Sequence, residues 1–158
     1  MDLRLLYAIL LTLIPGTELR LGLPLAIVYS MENNFPILLV FFLIILINIL
    51  LIFIIFYFLD KIHRILMQFN LYRRTFSYYL EKVHNKIKKL EKRHDKIGFY
   101  ALMLFVAVPL PGTGAWTGAI LSWLLGLDRK KSIMAITAGI MIAGLLILLG
   151  TLGIISLM

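Results

Sequence analysis

The sequence predicts an all-α integral membrane protein built as an inverted repeat. Each repeat is a re-entrant helical hairpin followed by one transmembrane helix, and a cytoplasmic amphipathic helical segment joins the two. The 158 residues are 61% hydrophobic with a mean hydropathy of +0.97, outside the range of a soluble domain. Two apolar runs are broken by one shared pattern, Pro-Gly-Thr, four variable residues, Gly, at Pro15–Gly22 and Pro111–Gly118. Eleven of the sixteen Lys and Arg fall within 60–96, and three more form the turn Arg129-Lys130-Lys131.

The first hairpin is expected over 3–31. Arg4 is the only cation before the break, Asp2 offsets it, and no small-x-small cleavage site follows, so the N-terminus is expected to be retained. Residues 5–17 would make a helix of about 20 Å, too short for a hydrocarbon core of about 30 Å. Pro15 and Gly16 end it, Glu18, Arg20 and Gly22 follow, and the apolar return over 21–31 contains Pro24. Non-helical backbone at membrane depth is tolerated only against protein or a wet cavity, so the break should face other segments. Glu32-Asn33-Asn34 and Pro36 form a polar turn. Residues 37–59 are uncharged and long enough to span, with Asn48 at their centre as an interhelical hydrogen-bonder.

The connector covers 60–96. Ile62, Leu66, Phe69, Phe76, Leu80, Val83, Ile87 and Leu90 recur at steps of three and four, interrupted by Arg73, which reads as a helical stripe; Asn70 is a candidate break, and the stripe reads as one helix or two. Its expected partners are the bilayer and anionic lipid head groups, not nucleic acid. The second repeat is 97–158, with a hairpin over 97–127 broken around Pro109, Pro111, Gly112 and Gly114, and a span over 132–157. Gly139, Gly144, Gly150 and Gly153 in that span allow close helix approach; a homo-oligomer is admitted. The whole of 1–158 is one membrane domain, with 1–59 as first repeat.

Charge sets the orientation. The 60–96 segment and the 128–131 turn belong on the cytoplasmic side. The stretch between them then starts and ends on one side, 37–59 runs inward, and both termini lie outside a prokaryotic plasma membrane. The alternative is that proline and glycine merely kink ordinary spans.

The ionisable residues inside the apolar runs are candidate site residues by their cost alone. Thr17 and Thr113 read as helix N-caps whose hydroxyls accept from free backbone N–H groups. Two helix N-termini meeting at mid-depth attract anions. Arg20 adds a fork-shaped cation suited to phosphate or carboxylate. Glu18, favoured as an anion by the helix dipole and disfavoured by burial, is a candidate proton carrier. Gly114 and Trp116 stand where the first hairpin has Glu18 and Arg20, and Gly118 where it has Gly22. The bland readings are that Glu18 and Arg20 are neutralised structurally at the hairpin tip, that Trp116 is packing, and that His63, His84 and His94 are solvated. The chain has no cysteine, no HExxH, no phosphate-binding GxxxxGK[ST] loop and no visible nucleophile–base pair. No enzyme activity, cofactor or metal is therefore expected.

The stretches PGTELRLGLPLAI and VPLPGTGAWTGAILSWLLGL resemble the two signature segments of the small multidrug export protein family. More distantly, the paired hairpins are similar to the DedA (VTT-domain) superfamily, which includes lipid-carrier translocases and scramblases. Residues 111–118 lack the arginine usual in that superfamily's second hairpin. The resemblance implies transport. With the charge pattern, the expected function is a proton-coupled transporter of an anionic amphiphile or lipid-phosphate carrier. The alternatives are an exporter of lipophilic cationic drugs and a non-transporting membrane assembly protein.

Overall fold

The computed structural model describes residues 3–66, 68–69, 94–110 and 112–157. Among these are six α-helices and no strand: α1 (Leu3–Leu13), α2 (Glu18–Glu32), α3 (Ile37–Leu66), α4 (His94–Ala107), α5 (Ala115–Leu124) and α6 (Arg129–Leu157). At 1.5 Å per residue, α3 and α6 are each about 44 Å long and α1, α2, α4 and α5 about 15–22 Å. Among the described residues, only α3 and α6 are long and apolar enough to cross a bilayer. The expected amphipathic stripe over 60–96 lies mostly outside the described residues. Its first turns do not: α3 runs on past the uncharged 37–59 stretch through Asp60, Lys61 and Arg64, since nothing in 60–66 breaks a helix.

α1 and α2 form an antiparallel hairpin. Arg4 and Glu32 pair at its open end, and Gly22 lies against Thr12 and the Ala8 carbonyl near its closed end. A side chain at Gly22 would overlap the Thr12 hydroxyl, which is buried and donates to Ala8 O at 2.7 Å. α4 and α5 also run antiparallel, with Val106 against Gly118 and Gly98 near Leu127. Their closest neighbours differ: α1 packs chiefly on α2, whereas α4 packs chiefly on α6. α3 and α6 run antiparallel as well, since Asp60 meets Arg129 while Ile45 meets Gly144.

The helix ends follow from local chemistry. Gly126, with φ +64°, closes α5 in a Schellman motif: Leu127 N–H donates to Ser122 O at 3.0 Å and Gly126 N–H to Trp123 O at 3.1 Å. Asp128 then caps α6, its carboxylate accepting from Lys131 N–H at 2.9 Å.

The interior joins aliphatic side chains of both halves, including Leu23, Ile27, Ile44, Ile52, Val106 and Ile136. Thr12, Glu18, Ser30, Asn48, Ser122 and Ser132 are buried among them. The outside of α3 is as apolar as the inside, with Leu38, Phe42, Leu46, Leu50, Phe53, Ile54 and Phe58 more than half exposed. A surface of that kind needs lipid against it. The chain is a membrane protein.

Candidate functional site

The two Pro-Gly-Thr breaks share a backbone device. Gly16 and Gly112 hold φ at +92° and +85°, a region that L side chains adopt only with strain. Pro15 has no N–H to offer the Leu11 carbonyl, and the Thr17 hydroxyl meets that carbonyl instead at 2.7 Å, with Ile14 O at 3.2 Å. In the second break the Thr113 hydroxyl lies 2.6 Å from Val108 O and 2.9 Å from Leu110 O. In both cases the threonine reaches the carbonyl of the residue just before the proline. Pro111 itself lies outside the described residues.

These contacts correct the N-cap reading of the two threonines. Neither hydroxyl accepts from a helix N–H; both donate backwards to carbonyls left over where the preceding helix ends. The reason is that proline and the positive-φ glycine strand acceptors before the break, and a hydroxyl within reach satisfies them first. The expectation that the broken backbone faces other segments also changes. Pro15, Gly16, Pro109 and Gly112 are exposed at the tips, and burial begins at Glu18 and Gly114.

Glu18 caps α5. This carboxylate, 3% exposed, accepts from Ala115 N–H at 2.8 Å and from Trp116 N–H at 3.2 Å, one bond to each oxygen. Thus a side chain at the start of α2 satisfies two free donors at the start of α5, ninety-seven residues on, where the helix dipole also favours a negative charge. Gly114 makes this approach possible. A Cβ there would lie inside the Glu18 carboxylate. Glu18 has φ +38°, unusual for a non-glycine residue, and this tight turn sits where its carboxylate crosses to the other hairpin.

Arg20 donates from Nη2 to the Thr113 hydroxyl at 2.6 Å, and the Trp116 indole donates to Leu13 O at 3.0 Å. Glu18, Arg20, Thr113, Gly114 and Trp116 are therefore brought together from the two breaks. Thr17 bonds only within its own hairpin, Gly22 faces α1, and Gly118 faces Val106 and Ile136. Pro24, inside α2, leaves the Arg20 carbonyl without its helical donor. Trp116 also packs against the apolar core, in keeping with its packing reading.

The anion-attracting end of α5 is thus occupied by the protein's own carboxylate. Arg20 Nη1 is buried and has no hydrogen-bond partner among the described residues. It lines a narrow cleft with Glu18, Gly114, Ala115 and Asn48. Asn48 departs from its expected role as an interhelical hydrogen-bonder: its Nδ2 donates back to Ile44 O of the same helix at 3.2 Å.

A second polar junction joins the halves near the far end of α3 and was not singled out from the sequence. Asp60 accepts from Arg129 at 2.7 Å and from the Trp123 indole at 3.1 Å, and the Arg129 guanidinium sits 4.8 Å from the Phe56 ring centroid. The available signal was a lone acid at the end of an uncharged span and a basic turn before the next. Counting net charge hides such a pair. No group of His, Cys, Asp or Glu able to hold a metal occurs among the described residues.

No curated protein and no solved structure matches the chain. The family description "Putative small multi-drug export protein" matches residues 18–146, a stretch that begins at Glu18, just after the first Pro-Gly-Thr, and takes in the second break and the first part of α6. With a match over most of its length, from the start of α2 into α6, the chain belongs to this family of membrane proteins named for export.

Proposed function

We propose that the protein is a proton-coupled transporter that moves an anionic amphiphile, such as a lipid-phosphate head group, past the junction of the two breaks. The carrying observation is the Glu18 carboxylate held on two N–H groups of α5 beside an Arg20 whose Nη1 is buried without a partner among the described residues. In this reading each short hairpin is re-entrant, the two halves are inverted, and the junction lies near mid-depth. Supporting it are the lengths of α1, α2, α4 and α5, the like conformations of Gly16 and Gly112, and the antiparallel α3 and α6. Broken helices that meet near the midplane are a recurring transporter plan.

The electrostatics favour an anion. One carboxylate faces the partial positive charge of the α5 N-terminus and the full charge of Arg20. The surplus is positive, and an anionic guest on Arg20 removes it. Protonating Glu18 replaces two charge-assisted acceptors by one neutral acid, weakening a polar link from the start of α2 to α5. That couples proton binding to separation of the two hairpins. The second reading, export of lipophilic cations, rests on the family's printed name.

The test is flux in proteoliposomes under an imposed pH gradient. A short-chain fluorescent phosphatidic acid should move with the parent. Arg20→Gln should abolish movement and Glu18→Gln its dependence on the gradient. Flux of lipophilic cations alone would return the reading to drug export.

A further inference from the structure

The first hairpin carries a groove on its outer side, away from the junction of the two breaks. Arg4, Tyr7 and Leu11 on α1 and Leu25, Val28 and Glu32 on α2 follow the same steps of three and four, which puts each trio on one helix face. Because the helices run antiparallel, the two faces border one groove, with Arg4 and Glu32 together at one end. It extends seven residues along each helix, about 10 Å. It holds about 420 Å³, many times what a water molecule needs. Tyr7 and Val28 are exposed and Leu11 and Leu25 half-buried, so the groove opens to the surroundings.

The surroundings of a membrane protein are lipid, and the groove is made like one. Leucine and valine walls suit a hydrocarbon chain and give water few partners. The charged end belongs at head-group level. Arg4 and Glu32 flank the apolar stretches of the hairpin, and Glu32 begins the polar Glu32-Asn33-Asn34 turn. Their pairing uses Nη1 of Arg4 and Oε2 of Glu32. A guanidinium has five N–H donors and a carboxylate two oxygens, so both ends keep capacity for a further partner. Both side chains are open to it, at 68% and 49% exposure. The rim is therefore a dipole of zero net charge. An anionic head group meets Arg4 but is repelled by Glu32, and a lipophilic cation meets Glu32 but is repelled by Arg4. A head group with one charge of each sign satisfies both.

We propose that this groove binds one phospholipid whose zwitterionic head group ends in a primary ammonium. The phosphate accepts from Arg4, the ammonium donates to Glu32, and one acyl chain lies along Tyr7, Leu11, Leu25 and Val28. The site shares no residue with the Glu18–Arg20 junction and does not depend on the transport reading.

Three lipids with the same chains separate the head groups: dioleoyl phosphatidylethanolamine, phosphatidylcholine and phosphatidylglycerol. The full chain in a nonionic detergent is given an equimolar mixture, and the lipid it retains is read by native mass spectrometry. The parent should keep one lipid and favour phosphatidylethanolamine about three- to tenfold, the worth of one hydrogen bond at an open site. The choline ammonium has no N–H to donate, and the glycerol head group has no cation. Glu32→Ala, which leaves Arg4 alone at the rim, should shift the preference to phosphatidylglycerol. Val28→Trp, on the exposed face of α2, should fill the groove and retain several-fold less of all three. Equal retention or a phosphatidylglycerol preference in the parent would overturn the proposal. So would an ethanolamine preference that survives Glu32→Ala, or unchanged retention in Val28→Trp. A lipid-free dimer that Val28→Trp splits would make a second copy the occupant and overturn it as well. The head-group comparison in the parent needs no variant, so a poorly folding variant leaves the test intact.

Discussion

Glu18→Gln is the substitution on which the junction turns. Glutamine matches glutamate in shape, and on sequence grounds alone it should preserve both fold and hydrogen bonding. The geometry says otherwise. Both carboxylate oxygens accept, one from Ala115 N–H and one from Trp116 N–H. Glutamine has one acceptor and places an NH2 where the second must be, so one backbone N–H meets a donor. The loss is one charge-assisted bond, about 1.5–3 kcal/mol, plus the charge's interaction with the α5 dipole, about 0.3–2 kcal/mol. A net cost of about 2–4 kcal/mol follows. For a chain of this size that corresponds to a fall of roughly 5–15 °C in the midpoint, at about 2–4 °C per kcal/mol. The assay is thermal unfolding in detergent, with Gly114→Ala in parallel, because a Cβ at 114 evicts the same carboxylate while leaving it charged. Both variants should fall together, and the double variant should fall by less than the sum. Parental stability in Glu18→Gln, or full additivity, would refute the assignment of Glu18 as the cap of α5.

Further outcomes follow from the packing and the charge pattern. Gly22→Ala should destabilise by about 1–3 kcal/mol, because the new methyl meets the Thr12 hydroxyl and the Ala8 carbonyl, whereas Gly150→Ala, with open space around it, should be neutral or stabilising by up to about 1 kcal/mol. A double-mutant cycle on Asp60→Asn and Arg129→Gln should give a coupling of about 0.2–1 kcal/mol, since both side chains are substantially exposed. Trp123→Phe, which removes the indole donor to Asp60, should lower stability on its own. For the proposed topology, single cysteines at Thr75 and Lys130 in this cysteine-free chain should resist an impermeant thiol reagent in whole cells, while one at Asn33 reacts. Labelling of Thr75→Cys and Lys130→Cys on opposite sides would end the re-entrant reading.

The sequence by itself determined the class, the long spans and the two breaks. Bilayer thickness and solvation act on stretches of chain one at a time, so 37–59 and 132–157 announce themselves by length and absence of charge. Proline and glycine act on their own backbone, so Pro15-Gly16 and Gly112 are legible as interruptions wherever they fold. Glu18 and Arg20 were legible too, because charge inside an apolar run is costly wherever it lies. Only the tertiary structure decided their partners. That Glu18 caps a helix ninety-seven residues away, that Gly114 is the space for its carboxylate, and that Asn48 joins Arg20 in one cleft are properties of which atoms meet. The threonines show the limit most plainly. A hydroxyl beside a helix start satisfies either a free N–H ahead or a free C=O behind, and both fit the same three letters. The choice fell to the carbonyls that proline and the positive-φ glycine strand before each break, and at Thr113 a carboxylate from the other hairpin also takes the N–H groups of α5.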